Sequence, residues 1–329
     1  MGVPKRYPAI EPYDQGFLDV GHGHRVWYEV SGNPAGRPAL ALHGGPGSGS
    51  SPRLRRSFDP DAYRFIQLDQ RSCGRSTPSA ADPGTDLAAN TTHHLIGDIE
   101  RLREHLGIDR WLVWGGSWGV TLALAYAQRY PGRVGAMVLV SVTMTRPRDV
   151  RWLYRHAGRL FPAEWARFRA GGGGADDLVA AYDRLLNAHP DPAVRAQAAL
   201  DWCAWEDAVV SLEAGWTPDP RYEDPAFRMT SARLCAHYFS HAAWLDDGEL
   251  LRNAGRLAGI PGVLIHGRLD LGSPPDVPWQ LAQAWPDAEL HLVSTGHLGG
   301  QEMTERMMAA LDRFARGATW APRGGLRRS

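Results

Sequence analysis

The chain has 329 residues, of which 43% are hydrophobic and 22% charged, and its 36 basic side chains balance its 36 acidic ones. A net charge of zero gives no electrostatic reason to expect nucleic acid or an anionic membrane as a partner, so we expect a small molecule. No apolar run reaches signal-peptide or membrane-spanning length, which predicts a soluble, cytoplasmic protein. The three cysteines are scattered and lack CxxC spacing, which argues against a disulfide framework or a zinc site.

Short apolar runs alternate with helical patterns over most of the chain. Residues 16–21 and 24–32 alternate polar and apolar side chains around a glycine-containing turn, which predicts an antiparallel hairpin at a sheet edge. Further runs, typical of parallel strands covered on both faces, lie at 38–42, 63–68, 111–114, 136–140, 262–265 and 290–293. Helical patterns at 94–106 and 120–130 separate some of them. The alternation predicts a mostly parallel, doubly wound α/β sheet.

Residues 142–257 interrupt this alternation. The helices predicted there lie at 152–160, 162–169, 178–187, 192–212 and 231–244. Six of the thirteen tryptophans fall in this stretch, which is more aromatic surface than short helices need for packing among themselves. We therefore predict a helical cap domain at 142–257, over a core domain made of residues 1–141 and 258–329.

Ser117 stands in the segment GGSWG, between a predicted strand and a predicted helix. The GxSxG pattern alone is a weak signal, but a nucleophile elbow requires a strand, a tight turn and a helix, and all three are predicted here. The alternative interpretation is a serine that only ends the strand and caps the helix. We interpret Ser117 as a nucleophile.

A serine hydroxyl needs a base, and the base needs an acid that holds its tautomer. His297 follows the last predicted strand in a glycine-flanked loop, and Asp270 follows the penultimate one. We assign His266 and His291 to strand or strand-end positions. The sequence thus predicts a catalytic triad of Ser117, Asp270 and His297, in the chain order that accompanies a nucleophile elbow.

Acyl chemistry also needs donors for the developing oxyanion. The backbone N–H of Trp118 is one candidate, because it follows the nucleophile directly. The second is expected from the segment HGGPG after the strand at 38–42, with Gly45 preferred and Gly44 as the alternative. We interpret His43 of that segment as structural.

Five segments of the chain, in this order, carry a family resemblance: HGGPG, DQRSCGRS, GGSWGVTLALAYAQRYP, WCAWE and HGRLD. They resemble the prolyl aminopeptidases (proline iminopeptidases) of the α/β-hydrolase superfamily, and the similarity covers nearly the whole chain. The resemblance implies a serine exopeptidase without cofactor or metal that removes an N-terminal proline, with cap carboxylates that hold the substrate's amino group. Glu206 in WCAWE matches the first of those carboxylates, and the family's aromatic at Phe239 is retained.

Several pocket positions depart from the family pattern. Cys235 takes the place of the family's second amine-binding glutamate, Thr143 and Leu153 replace aromatic residues, and Ser273 replaces a cysteine. Ser72 also replaces a glycine in DQRSCGRS. Because a proline ring is recognised by apolar shape and its charge by paired acids, these changes predict a divergent substrate pocket.

The sequence therefore predicts a serine hydrolase that releases an N-terminal proline or a similar small residue through an acyl-enzyme. Two alternatives stay open. The first is a family member repurposed for another acyl substrate, such as an ester, thioester or amide. The second is a noncatalytic small-molecule receptor, against which the complete triad argues. In each case the expected partner is a small peptide or small acyl molecule, and nothing in the sequence indicates the oligomeric state.

Overall fold

A computed structural model describes residues 6–213 and 215–317. Within these residues, eight strands form one sheet in the order β1-β2-β4-β3-β5-β6-β7-β8. The strands are β1 Asp14–Gly21, β2 His24–Gly32, β3 Arg37–Leu42, β4 Tyr63–Asp69, β5 Trp111–Gly116, β6 Val134–Val140, β7 Gly262–Gly267 and β8 Ala288–Val293.

The predicted hairpin at the sheet edge is confirmed. Strand β1 pairs only with β2 among the described residues, and β2 pairs antiparallel with both β1 and β4. From β4 to β8 all neighbours run parallel. Parallel strands place their carboxyl ends at one edge of the sheet, so the loops that follow β3, β5, β7 and β8 meet there.

Helices cover the sheet and fill the connection between β6 and β7. They are α1 Pro52–Arg55, α2 Thr92–His105, α3 Trp118–Arg129, α4 Pro147–Arg151, α5 Pro162–Gly171, α6 Leu178–Asn187, α7 Pro192–Val210, α8 Pro225–Ser240, α9 Glu249–Arg252, α10 Asp276–Ala284 and α11 Gln301–Arg316. Helix α3 is buried from Trp118 to Gln128 and packs under the sheet's central strands. None of the helices within the described ranges is both long and apolar enough to cross a membrane.

The helices between β6 and β7 have their own apolar core. Phe168 stacks on Tyr182 with ring centroids 4.5 Å apart, and Trp202 and Trp205 pack beside them, almost fully buried. These two tryptophans therefore fill the interior of the cap instead of forming a surface that covers something else. For Trp202 and Trp205 this corrects the premise that the tryptophans exceed what the helices need for packing among themselves; the cap itself stays a prediction.

Two predicted cap helices differ from the observed ones. The segment predicted as a helix at 152–160 contains a π-helical turn, Trp152–His156, followed by a 3₁₀ turn. Helix α8 begins at Pro225, six residues before the predicted start. The Asp224 side chain accepts a hydrogen bond from the backbone N–H of Ala226, and proline is well suited to the first helical position.

The division of the chain at 142 and 257 stays a prediction. In the structure, Leu250 and Leu257 pack in the same cluster as β5 and α3, whereas α5 to α8 pack around the separate cap cluster. The last residues of the predicted cap thus share their packing with the core.

Candidate active site

Ser117 lies in a tight turn between β5 and α3. Its φ and ψ are 53° and −123°, a conformation that L-residues rarely adopt, and its N–H donates to the carbonyl of Val140. The turn brings α3 so close to β3 that a Cβ on Gly119 would lie 2.0 Å from the carbonyl oxygen of Leu42. Only glycine fits there, which explains the second glycine of the GxSxG pattern. The Ser117 hydroxyl makes no capping hydrogen bond to α3 and is free for other partners.

The structure brings Ser117, His297 and Asp270 together from three loops. Nε2 of His297 lies 3.0 Å from Oγ of Ser117, and Nδ1 of His297 lies 2.9 Å and 3.1 Å from the two carboxylate oxygens of Asp270. Asp270 is 2% exposed, and it also accepts a hydrogen bond from the backbone N–H of Ser273. These contacts make a continuous line for proton transfer from hydroxyl to imidazole, with a carboxylate behind the imidazole.

Acidic side chains around His297 raise the pKa of its imidazole. Burial alone lowers the pKa of the imidazole, but the carboxylate of Asp270, with smaller effects of Glu213 and Glu206, outweighs burial and raises the pKa of His297 to about 9. Burial acts on Asp270 in the opposite sense, and the neighbouring His297 holds the pKa of that carboxyl below its usual range. The site therefore favours an imidazolium beside an ionised carboxylate.

The HGGPG segment lies against the nucleophile. A Cβ on Gly44 would lie 3.1 Å from the carbonyl oxygen of Gly116 and 3.2 Å from Cβ of Ser117, so a side chain there would crowd the turn that carries the nucleophile. Gly45 has a φ of 105° and lines the same pocket as Ser117 and Trp118. Both predicted donor segments therefore border the space beside the Ser117 hydroxyl.

Gln70, which the sequence analysis did not single out, links the two donor segments. Its side-chain amide donates to the carbonyl of His43, and its amide oxygen accepts from the indole N–H of Trp118. His43 in turn accepts a hydrogen bond from the backbone N–H of Gln70. The position of Gln70 inside the DQRSCGRS segment was the available signal, but only the structure shows what it contacts.

A pocket of about 90 Å³ opens beside Ser117, with His297 in its wall and Glu206 contributed by helix α7. Such a volume holds a few water-sized groups, which is about the size of one small aminoacyl residue. The nucleophile and the cap carboxylate therefore line one small pocket.

Glu206 accepts a short hydrogen bond from the phenol of Tyr154, a residue that the sequence analysis missed. Removal from water raises the pKa of Glu206 above its usual range, and the bond from Tyr154 opposes that shift. Asp149 also borders the pocket, but the guanidinium of Arg146 pairs with both of its oxygens, at 2.8 Å and 2.9 Å. A cationic substrate group would thus find its free counter-charge at Glu206.

Four of the five other predicted substrate-binding residues line the pocket, namely Thr143, Leu153, Phe239 and Ser273. Cys235 does not. It is 4% exposed in the cap cluster, and its thiol contacts the carbonyl of Pro46 at 3.4 Å. The Ser273 hydroxyl is also engaged, because it donates to the carbonyl of Val142.

The described part of the chain contains no cluster of histidine, cysteine and acidic side chains that could hold a metal ion. The three cysteines, Cys73, Cys203 and Cys235, are buried and unpaired. The groups that the structure brings together at the site are a hydroxyl, an imidazole and carboxylates.

Comparison with known proteins identifies the family of the chain. Residues 40–300 match the family described as alpha/beta hydrolase fold. A probable proline iminopeptidase of Streptomyces coelicolor is 50% identical over 321 residues, covering 95% of this chain and 98% of that protein. The proline iminopeptidase of Neisseria gonorrhoeae is 42% identical over 296 residues, covering 88% of this chain and 92% of that protein. The crystal structure of proline iminopeptidase from Mycobacterium smegmatis has the same fold, with a TM-score of 0.61 at 23% identity over 92% of this chain and 97% of that one. The chain therefore belongs to the proline iminopeptidase family of the α/β hydrolases.

Proposed function

We propose that this protein is a serine aminopeptidase that releases an N-terminal proline, or a similar small residue, from a small peptide through an acyl-enzyme. The observation that carries the proposal is the shared pocket of about 90 Å³, which has Ser117 in its wall and Glu206 as its unneutralised carboxylate. A pocket of that size with a counter-charge for an amino group suits the first residue of a peptide. Family membership supports the same reaction, and a cytoplasmic location belongs to the proposal.

In the first step, Oγ of Ser117 attacks the carbonyl carbon of the scissile amide while its proton passes to Nε2 of His297. The 3.0 Å contact between these atoms is within the range for direct proton transfer. Asp270 holds the Nδ1–H of His297 and stabilises the imidazolium that forms. The N–H groups of Trp118 and Gly45 are proposed to donate to the oxyanion, with Gly44 as the alternative.

In the second step, the C–N bond breaks, and the leaving amine takes the proton from Nε2 of His297. The acyl group remains on the enzyme as an ester of Ser117. Water then gives a proton to His297 as its oxygen attacks the ester carbonyl, and that proton returns to Oγ when the free amino acid leaves. No cofactor takes part in either step.

Glu206 is proposed to select the substrate. Its carboxylate is largely removed from water, so an ammonium or iminium group bound beside it would experience a strong, weakly screened attraction. A peptide whose amino group is blocked would leave this carboxylate without a counter-charge. The small volume of the pocket would leave little room for further residues on the N-terminal side, which is the requirement for an exopeptidase.

One observation favours a second candidate function. Cys235 stands where the family resemblance places a second amine-binding carboxylate, and it is packed inside the cap without lining the pocket. A pocket with a single free carboxylate holds an amine less strongly than one with two. The alternative is therefore hydrolysis of an acyl ester, thioester or amide without a free amino group.

Substrate preference separates these candidates. We expect cleavage of prolyl and alanyl anilides with a free amino group, and no cleavage of the N-acetylated prolyl anilide or of short acyl esters at comparable rates. The Glu206→Gln variant should raise KM for the prolyl anilide about 10- to 100-fold, the value of one charge-assisted contact. Glu223→Gln, the same change at an exposed site of the cap, serves as the matched control.

Reaction with a fluorophosphonate tests the nucleophile independently of the substrate. We expect labelling of the protein at Ser117 and no labelling or turnover in Ser117→Ala, with a loss on the order of 10⁶-fold in kcat. Absence of cleavage of every free-amine substrate, with labelling intact, would reject the aminopeptidase and favour the second candidate. Absence of labelling would revive the noncatalytic receptor.

A further inference from the structure

Glu213 reaches from the cap to the loop that carries His297. It lies three residues beyond the end of helix α7, and its side chain contacts the loop after β8. One carboxylate oxygen accepts the backbone N–H of His297 at 2.5 Å, and the other accepts the backbone N–H of Leu298 at 2.9 Å. One side chain thus satisfies two consecutive amide groups of the catalytic loop.

The Glu213 side chain packs tightly against the His297 loop, and the loop is also held from its other side. A Cβ on Gly296 would lie 2.1 Å from the carboxyl carbon of Glu213, so the glycine before His297 leaves the space that this side chain fills. On the other side of the loop, the carbonyl of His297 accepts a hydrogen bond of 2.7 Å from the hydroxyl of Ser141. The main chain of His297 is therefore held by the cap through Glu213 and by the end of β6 through Ser141.

The charges that face His297 come from three elements. Asp270 follows β7, Glu206 belongs to α7, and Glu213 follows α7. All three act on the imidazole in the direction that favours its protonated form. His266 in β7 faces Asp270, and burial lowers the pKa of His266, which keeps it neutral near pH 7. Glu213 differs from the other two carboxylates because its hydrogen bonds go to the main chain of the loop, while its charge favours the protonated imidazole.

We propose that Glu213 is a positioning residue, through which the cap fixes the His297 loop and stabilises the imidazolium that forms when Ser117 attacks. The inference rests on the proposed roles of Ser117 and His297. In the reacting enzyme, the proton moves from Oγ of Ser117 to Nε2 of His297; the new positive charge is paired with the carboxylate of Asp270, and the negative charge of Glu213, held at the main chain of the same residue, also favours it. In other functional sites too, residues that do not touch the substrate hold a functional histidine in place through hydrogen bonds.

The test uses Glu213→Gln and Glu213→Ala in the full chain, with Glu223→Gln as the control for loss of one cap carboxylate. The main readout is the rate of inactivation by a fluorophosphonate between pH 5 and pH 10, which depends on Ser117 and His297 but not on the natural substrate. The Tm of each variant is also measured, together with its kcat and KM for a prolyl anilide.

The expected result has two parts. Loss of the negative charge lowers the pKa of His297, so the pH inflection of the inactivation rate should fall by about 0.5 to 1 unit in both variants. On the alkaline plateau, inactivation and kcat should be slower by about 3- to 10-fold in Glu213→Gln, and by more in Glu213→Ala, with KM nearly unchanged. Glu223→Gln should match the wild type in both respects.

The proposal requires that the inflection and the plateau both move. A slower plateau with an unchanged inflection, or a lower Tm alone, would make Glu213 a purely structural cap contact and overturn the proposal. Unchanged values for both readouts would overturn it as well. Failure of the proposed function is seen separately, as wild-type protein that reacts with the fluorophosphonate but cleaves no free-amine substrate.

Discussion

Three serines near the site have a left-handed backbone conformation, and they differ in what their hydroxyls do. Ser117 has a φ of 53° and contacts His297, Ser141 has a φ of 51° and donates to the carbonyl of His297, and Ser72 has a φ of 63°. Among the described residues, the buried Ser72 hydroxyl has no hydrogen-bond partner. At Ser117 and Ser141 the strained backbone places a hydroxyl against His297. At Ser72 the same backbone strain is accompanied by no side-chain hydrogen bond in the part of the chain that the structure describes.

Replacement of Ser72 by glycine should therefore stabilise the protein. Glycine adopts positive φ without strain, and the change removes a buried, unsatisfied hydroxyl, so we expect a gain of about 1 kcal/mol in the free energy of unfolding. Urea denaturation measures it. Ser141→Gly is the matched control: it relieves similar strain but loses the bond to His297, and we expect no gain. A destabilised Ser72→Gly would contradict the strain argument.

The pH dependence of activity follows from His297. Only the neutral imidazole can accept the Ser117 proton, and the raised pKa, about 9, keeps it protonated over a wider range than an ordinary histidine with pKa near 6.5. We expect kcat/KM to rise with pH, with an inflection clearly above 6.5. Removal from water raises the pKa of Glu206 too, so its ionisation contributes to the same rising limb. The fluorophosphonate inactivation profile isolates His297, and an inflection at or below 6.5 would contradict the prediction.

At the scale of elements, helix α2 is anchored to the loop after β4 by a buried ion pair. The guanidinium of Arg71 binds both oxygens of Asp98 at 2.6 Å and 2.7 Å, and it also donates to the carbonyls of Val20 and Ala89. Arg71 belongs to the same segment as Gln70, which supports Trp118. The pair therefore fixes the loop beneath the donor segments.

Asp98→Asn should be strongly destabilising. It leaves the buried Arg71 without its counter-charge, and we expect a loss of about 3–5 kcal/mol in the free energy of unfolding. The control is Asp109→Asn, which breaks an exposed pair with Arg133 and should cost at most about 1 kcal/mol. Guanidinium denaturation of both variants measures the difference. Similar small effects in both would show that the buried pair contributes little.

The elements themselves were largely predictable, and the exceptions have local causes. The strands and helix α3 were predicted because apolar runs and turn residues lie close together in sequence. The start of α8 was missed although Asp224 and Pro225 form a recognisable cap and first position. The π-helical turn at Trp152–His156 had no local signal. Its Trp152 indole donates to the carbonyl of Leu271, a contact 119 residues away in sequence.

At the scale of the whole molecule, Arg233 docks the cap on the core. Helix α8 buries this side chain, which is 2% exposed, and its guanidinium donates to the carbonyls of Ala80, Asp82 and Thr85 in the long loop before α2. Three core carbonyls therefore depend on one cap residue. This contact adds to that of Glu213 with the His297 loop, so the cap binds the core at positions that are far apart in the chain.

Arg233→Met should loosen this docking. The change keeps an apolar side chain of similar length but leaves three carbonyls unpaired, so we expect a loss of at least about 2 kcal/mol in stability. Hydrogen exchange followed by mass spectrometry should show faster exchange in residues 80–85 and in α8. Arg228→Met is the control, because Arg228 donates to Tyr222 inside the cap. Unchanged exchange at 80–85 would contradict the docking role.

The sequence by itself determined the class of fold, the order of its strands along the chain and the positions of Ser117, Asp270 and His297. Each of those features depends on local patterns, namely apolar periodicity, tight glycine turns and the ends of successive strands. Only the tertiary structure decided that Cys235 is buried without lining the pocket, that Tyr154 binds Glu206 and that Glu213 holds the His297 loop. The physical reason is that these contacts join cap segments to each other or to the core across long stretches of chain. No spacing in the sequence fixes which side chains meet when the helices pack.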